Sequence, residues 1–232
     1  ERSDQEKLCS CKPWQIDGIR PALGISAEYP LVCGKKVYAL RGNNDDQHII
    51  CIEKHTGRVL WESKFRVRDC RLSADDSRVF VLAARARGIW TWIALNPKNG
   101  KELWQHSIQE DAMSSPSHLA VLEKGVCWSQ GNRIFLAHPE TGKMIWTKQA
   151  DNNVNLSSPI EHEGKVLVVS GSQLYAVNSE NGNILWIQRF ANQVGGLFNN
   201  KLLTTLDGNR IFVAGVFGGR RKSTLLCMRA EN

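Results

Sequence analysis

Asn96-Pro-Lys-Asn-Gly-Lys-Glu-Leu-Trp104 is one of four versions of a single phrase in this chain of 232 residues. The others are Glu53-Lys-His-Thr-Gly-Arg-Val-Leu-Trp61, His138-Pro-Glu-Thr-Gly-Lys-Met-Ile-Trp146 and Asn178-Ser-Glu-Asn-Gly-Asn-Ile-Leu-Trp186. With Trp14 included, the tryptophans stand 47, 43, 42 and 40 residues apart. A unit recurring at about 42 residues marks a propeller or a solenoid, because one unit cannot bury its apolar face alone.

Upstream of each phrase lie two short hydrophobic runs. The first of each pair is Val37–Leu40, Val79–Leu82, Val126–Trp128, Val166–Val169 or Ile211–Ala214. The second is Ile49–Ile52, Trp92–Leu95, Ile134–Ala137, Leu174–Val177 or Leu225–Met228. These runs are β-branched or aromatic and bounded by Gly, Asn, Asp or Ser, which predicts strands. Inside the phrase, Thr-Gly or Asn-Gly supplies the positive φ of a chain reversal. Glu53, Asn96, His138 and Asn178 stand where a polar side chain bonds the turn's own amides. Ser114-Ser115-Pro116 and Ser157-Ser158-Pro159 open the third and fourth units. Each unit is thus a four-stranded antiparallel meander whose outer strand begins with tryptophan, the blade of a propeller.

Trp14 fits an outer strand, yet no earlier strands precede it, while residues 225–232 supply a third strand and no fourth. The expectation is an all-β, five-bladed β-propeller closed by residues 12–16 completing the last blade. The blades fall at about 17–66, 69–108, 113–150, 155–191 and 195–232 plus 12–16. Residues 1–11 form a linker and 12–232 a single domain. Closure removes sheet edges that would otherwise template aggregation.

Composition is that of an ordinary globular chain, with 42% hydrophobic and 23% charged residues. Its apolar runs fall short of the ~20 residues of a membrane-spanning helix. A net charge of +7 suits an acidic protein, a nucleic acid or an anionic surface alike. Seven cysteines cannot all pair within one chain, which points to a reducing compartment. Cys9-Ser-Cys11 lacks the second ligand pair that a zinc site needs.

The pattern Ala-x-Asn/Asp-x-x-Thr/Asn-Gly-Lys-x-x-Trp resembles the tryptophan-docking motif of the quinoprotein-like, PQQ-repeat (BamB-like) β-propeller family, over about residues 17–232. That resemblance implies the propeller fold and a periplasmic or extracellular setting for many members. Members that are dehydrogenases carry adjacent cysteines, a calcium site and an aspartate base, and are usually eight-bladed. This chain has no Cys-Cys dipeptide, and its Asp45-Asp46 and Asp75-Asp76 lie in turns. The expectation is therefore no catalytic residue, no cofactor and no metal. Trp14, Trp61, Trp104, Trp146 and Trp186 are read as structural, docking blade against blade.

Function is expected on one face, through loops. The turn between second and third strands is minimal in the third and fourth units, at Gln130–Asn132 and Gly171-Ser172. It is long in the other three: Arg41–His48, Ala84–Trp90 and Gly215–Ser223. Those three blades are neighbours in a closed ring, so a basic sector is expected from Arg85, Arg87, Arg220, Arg221 and Lys222. Arg68 and Arg71 lie on a link of the same face, and Trp90 and Phe217 add apolar surface. Basic charge with aromatics suits an acidic protein partner, with nucleic acid second. The alternative is a small-ligand or carbohydrate-binding propeller, but a repeated lectin site needs the same side chains in every blade. A glycosidase needs a carboxylate pair near the channel. The expected innermost segments 25–32, 70–74, 116–121, 157–161 and 195–203 offer only Glu28 and Glu161.

Overall fold

The hydrophobic runs form antiparallel strands in a computed structural model that describes residues 30–43, 46–67, 69–86, 89–108, 116–151, 155–170, 173–189, 203–208, 210–217 and 222–229. Nineteen strands and no helix occur among these residues. The first sheet runs β1 (Leu31–Cys33), β2 (Lys36–Asn43), β3 (Asp46–Glu53), β4 (Val59–Glu62) in spatial order. The second runs β5 (Asp69–Ala74), β6 (Val79–Ala86), β7 (Ile89–Leu95), β8 (Glu102–Ile108). The third is β9 (Ala120–Leu122), β10 (Gly125–Gln130), β11 (Arg133–Ala137), β12 (Met144–Gln149). The fourth is β13 (Ile160–His162), β14 (Lys165–Ser170), β15 (Gln173–Asn178), β16 (Ile184–Arg189). A three-stranded fifth sheet holds β17 (Leu203–Asp207), β18 (Arg210–Phe217) and β19 (Lys222–Arg229). First strands touch in chain order, β1 to β5, β5 to β9, β9 to β13 and β13 to β17. They are the inner strands of successive blades. The closing segment 12–16, with Trp14, lies outside the described residues.

The repeated phrase builds one turn in each of the first four blades. Its first side chain accepts a turn amide as expected: Glu53 Oε2 from Thr56 at 2.7 Å, and Asn96 Oδ1 from Lys98 at 2.8 Å. His138 Nδ1 takes Glu140 N at 3.1 Å and Asn178 Oδ1 takes Glu180 N at 2.8 Å. Hence His138 stands in for asparagine. The glycine that follows has φ +67 at Gly100, +66 at Gly142 and +73 at Gly182.

A second requirement acts on that glycine. A Cβ on Gly100 would stand 2.5 Å from the Trp61 ring of the preceding sheet. The same holds for Gly142 under Trp104 at 2.5 Å and Gly182 under Trp146 at 2.9 Å. Trp61 Nε1 then donates to Pro97 O, and Trp146 Nε1 to Ser179 O, each at 3.0 Å. Lys36 Nζ reaches the same Pro97 carbonyl at 2.6 Å. Each tryptophan therefore locks its blade onto the next blade's turn. For Trp186, the receiving turn falls outside the described residues.

The core lies between sheets. Tyr38, Cys51 and Trp61 pack with Cys70, Val81 and Ile93 between the first and second. Phe80, Trp92, Trp128 and Phe135 fill the next joint, and Leu136, Trp146, Val168 and Tyr175 the third. Strand alternation turns Val37, Ala39, Ile50 and Ile52 to the far side of the first sheet, and these are buried too. Both faces of that sheet are covered.

The two Ser-Ser-Pro tripeptides do not occupy equivalent places. Isolated bridges match Pro116 with Gln130 and Leu156 with Ser170, so Pro116 corresponds to Leu156 rather than Pro159. Ser117 and Ser157 are the equivalent serines: each Oγ accepts a second-strand amide, from Ser129 at 2.9 Å and from Val169 at 3.0 Å.

One turn carries backbone strain. Glu163 has φ +49 ahead of Gly164 at +72, a reversal with both central residues left-handed that favours Asn-Gly or Gly-Gly. Its contact to Lys165 at 3.7 Å is exposed and worth little, and its contact to the buried His162 ring is long, at 3.9 Å. Glu163→Asn is expected to stabilise the fold by about 0.5–1 kcal/mol. The readout is a higher urea midpoint at unchanged slope; a lower midpoint would contradict the strain.

Candidate protein-interaction surface

The three long second-to-third turns are largely not loops. β2 and β3 stay paired out to Asn43 opposite Asp46, and β6 and β7 out to Ala86 opposite Ile89. β18 and β19 pair out to Phe217 opposite Lys222. In the third and fourth sheets pairing stops at Gln130 opposite Arg133 and Ser170 opposite Gln173. Three hairpin arms thus rise about two residues, roughly 7 Å, beyond the neighbouring hairpins. The sequence suggested loops because Gly, Asn and Arg are common in them. Ladder hydrogen bonds use only backbone and accept these residues.

Each arm has its own construction. In the first, Gln47 and Val67 exchange both backbone bonds, at 3.2 and 2.8 Å, and Ser63 N donates to Ile49 O at 2.8 Å. The link 63–67 therefore covers the outer edge of that arm. Arg41 bonds Glu62 at 3.3 Å, an exposed pair. In the second arm the register shifts between Ala84 and Ala86, leaving Arg85 as the extra residue of a β-bulge. A bulge adds twist and commonly occurs where a strand is re-aimed. In the third arm, Phe217 and Lys222 form the last rung.

Two residues assigned to this surface belong elsewhere. Arg71 is only 7% exposed; its Nε donates to Pro116 O at 3.1 Å and its Nη1 to Cys70 O at 3.0 Å. It is a strut between the second and third blades, because its position falls within inner strand β5 rather than on a link. Trp90, 6% exposed, packs in the joint between the same two sheets. Neither offers a partner its side chain. Arg68, Arg87, Arg220 and Arg221 lie outside the described residues, as does Glu28. Arg85, Phe217 and Lys222 are placed by backbone register alone. Glu161, on β13, accepts Glu123 N at 3.3 Å across the blade joint.

Sequence reasoning missed two features. Lys35, Arg58, Lys98 and Lys101 stand exposed on first- and second-blade turns at the opposite face. In the third and fourth blades the turn carboxylates find cations, Glu140 with Arg78 and Glu180 with Lys124. The charges of the repeated phrase itself carried this signal. The second feature is an aromatic cluster, with Trp92 tilted at 5.3 Å from Trp104 and 5.1 Å from Trp128. The buried indole N–H groups of all three lack acceptors. Trp104 tilts onto Trp92 while His106 Nε2 meets Thr141 O at 2.7 Å.

Thiol chemistry follows burial. Desolvation pushes the Cys51 thiol up to about 11 and Cys127 higher still. Iodoacetamide at pH 8 is expected to label exposed Cys227 and spare Cys51, Cys70 and Cys127 in the folded chain. Peptide mapping gives the readout, and native-state labelling of Cys127 would contradict this packing. Among the described residues no three His, Cys, Asp or Glu side chains come together as a metal-ligand set. No helix among them is long and apolar enough to cross a membrane.

Stacked four-stranded sheets joined by tryptophan-on-glycine docks define a repeat β-propeller, a fold that serves as scaffold and interaction module. Residues 14–124 and 93–222 match the family model described as outer membrane protein assembly factor BamB, and the chain belongs to that PQQ-repeat family. Among solved structures it is similar to BamB from Moraxella catarrhalis, at 15% identity and TM-score 0.50, covering 84% of this chain and 73% of that one. The quinohemoprotein alcohol dehydrogenase from Comamonas testosteroni is 13% identical with TM-score 0.59, over 81% of this chain and 39% of its own. A protein of unknown function from Bacteroides caccae gives 16% identity and TM-score 0.52, over 84% and 74%. No curated protein matches in sequence. These likenesses establish the fold.

Proposed function

We propose that the chain is a non-catalytic propeller scaffold whose acidic protein partner docks on the three hairpin arms. The observation that carries the reading is the lengthening of those arms, while two other blades keep short hairpins. A surface used equally by every blade would not need such asymmetry. The sequence of the three second-to-third turns holds Arg85, Arg87, Arg220, Arg221 and Lys222, a charge set suited to steering an acidic partner. Burial of Val37, Ile50 and Ile52 on the far side of the first sheet supports a closed ring, since an open arc leaves that face to solvent. Closure makes the first, second and fifth blades neighbours and their arms one surface.

The test combines Arg85→Glu, Arg87→Glu, Arg220→Glu and Arg221→Glu in one variant. Capture from the native source with mass-spectrometric readout is expected to lose acidic partners recovered by wild type. Raising salt should weaken the wild-type capture, because exposed charges are screened. Identical profiles at matched melting temperature would eliminate the arm site.

A further inference from the structure

The outer strand of the fourth blade carries its one charge, Arg189, only at its last residue. β16 reads Ile184-Leu185-Trp186-Ile187-Gln188-Arg189, uncharged over its first five residues. The matching outer strands hold Glu62 in β4, Glu102 and His106 in β8, and Lys148 in β12. Charge on an edge strand is a common guard against pairing with another chain. Leu185 is 47% exposed and Ile187 37%. Their spacing of two sets both on one side of the strand. Leu60, Leu103 and Ile145 match Leu185 in the other blades. At the place of Ile187 those blades have Glu62, Gln105 and Thr147.

Among the described residues, β16 pairs with β15 alone. Alternate backbone N–H and C=O groups of an outermost strand point away from the sheet, a template for one more strand. We infer that β16 is a self-pairing edge, along which two copies of this chain join antiparallel. One register sets Leu185 opposite Ile187 of the second copy and Trp186 opposite its own counterpart. Ile184 then faces Gln188, and Arg189 faces Asn183. Four aliphatic side chains cover one another and no like charges are opposed. That self-complementarity favours a second copy over an unrelated strand, and a two-fold axis through Trp186 makes the contact isologous. A single strand pair buries less than a standard interface, so the dimer is concentration-dependent.

Sedimentation equilibrium of the whole chain at rising concentration tests the pairing, with hydrogen exchange on the same samples. The mass is expected to rise from 26.1 kDa toward twice that value, with β16 amides slowing in step. Ile187→Lys or Leu185→Lys, both at exposed positions, should abolish both signals at an unchanged melting temperature. Leu103→Lys, the matching exposed site on β8, should leave both intact. A monomer at every concentration overturns the proposal. So does a dimer that survives both β16 variants, or one whose β16 amides exchange freely. Protection that appears only when another protein is added would assign the edge to that protein and equally defeat self-pairing.

Discussion

Gly100→Ala is expected to destabilise the protein by about 2–4 kcal/mol. Two costs combine: a left-handed conformation at φ +67, about 1 kcal/mol for a non-glycine residue, and overpacking against Trp61, about 1–3 kcal/mol. The new methyl would stand 2.5 Å from Trp61 Cε3 and 2.8 Å from Cδ2, on a ring fixed by its bond to Pro97 O. Gly34 is the internal control. Its φ of +56 carries the same backbone cost, but nothing lies within 4 Å of its added Cβ. Gly34→Ala should therefore cost only the conformational part, about 1 kcal/mol. Urea unfolding of the two variants gives the comparison, and equal losses would remove the steric half of the argument.

Trp146→Ala is expected to cost about 3–5 kcal/mol, a third or more of the stability of a marginal domain. The ring is 9% exposed, lies over Gly182, and spans the joint between the third and fourth sheets with Leu136, Val168 and Tyr175. Its removal leaves a cavity and deprives Ser179 O of its donor. Backbone relaxation cannot close that cavity easily, because the opposing turn is held by its own bonds. Asn178 accepts from Glu180 and Asn181, and Ser179 Oγ donates to Gly164 O at 2.7 Å. A loss below about 1 kcal/mol, typical of a surface substitution, would contradict the docking role.

The repeat, the strands and the turn chemistry were legible because they depend on local requirements. A left-handed φ calls for glycine, an open turn amide for Asn, Glu or His, and strand runs for β-branched residues. Contacts between blades were less legible. Nothing near Gly100 in sequence reveals that Trp61, 39 positions earlier, rests on it. Register was the other gap. Arg71 looked like a surface cation on a link, yet a strand beginning at Asp69 carries it between two blades, where two carbonyls accept its donors. Trp90 failed for the same reason: β7 starts one residue earlier, so the ring sits in the joint rather than at a loop tip. The arms were recognised by length but not by conformation, since residue composition cannot distinguish a glycine-rich loop from a long twisted hairpin.

A double-mutant cycle on Trp61 and Gly100 tests the blade lock most directly. If the indole of one sheet rests on the glycine of the next, Gly100→Ala should cost about 2–4 kcal/mol in wild type and about 1 kcal/mol in the Trp61→Ala background, where only the backbone part remains. The two substitutions would then be coupled by about 1–3 kcal/mol, as contacting residues are. Additivity within about 0.5 kcal/mol would mean that the two groups do not meet, and the blade-on-blade lock would fall with it.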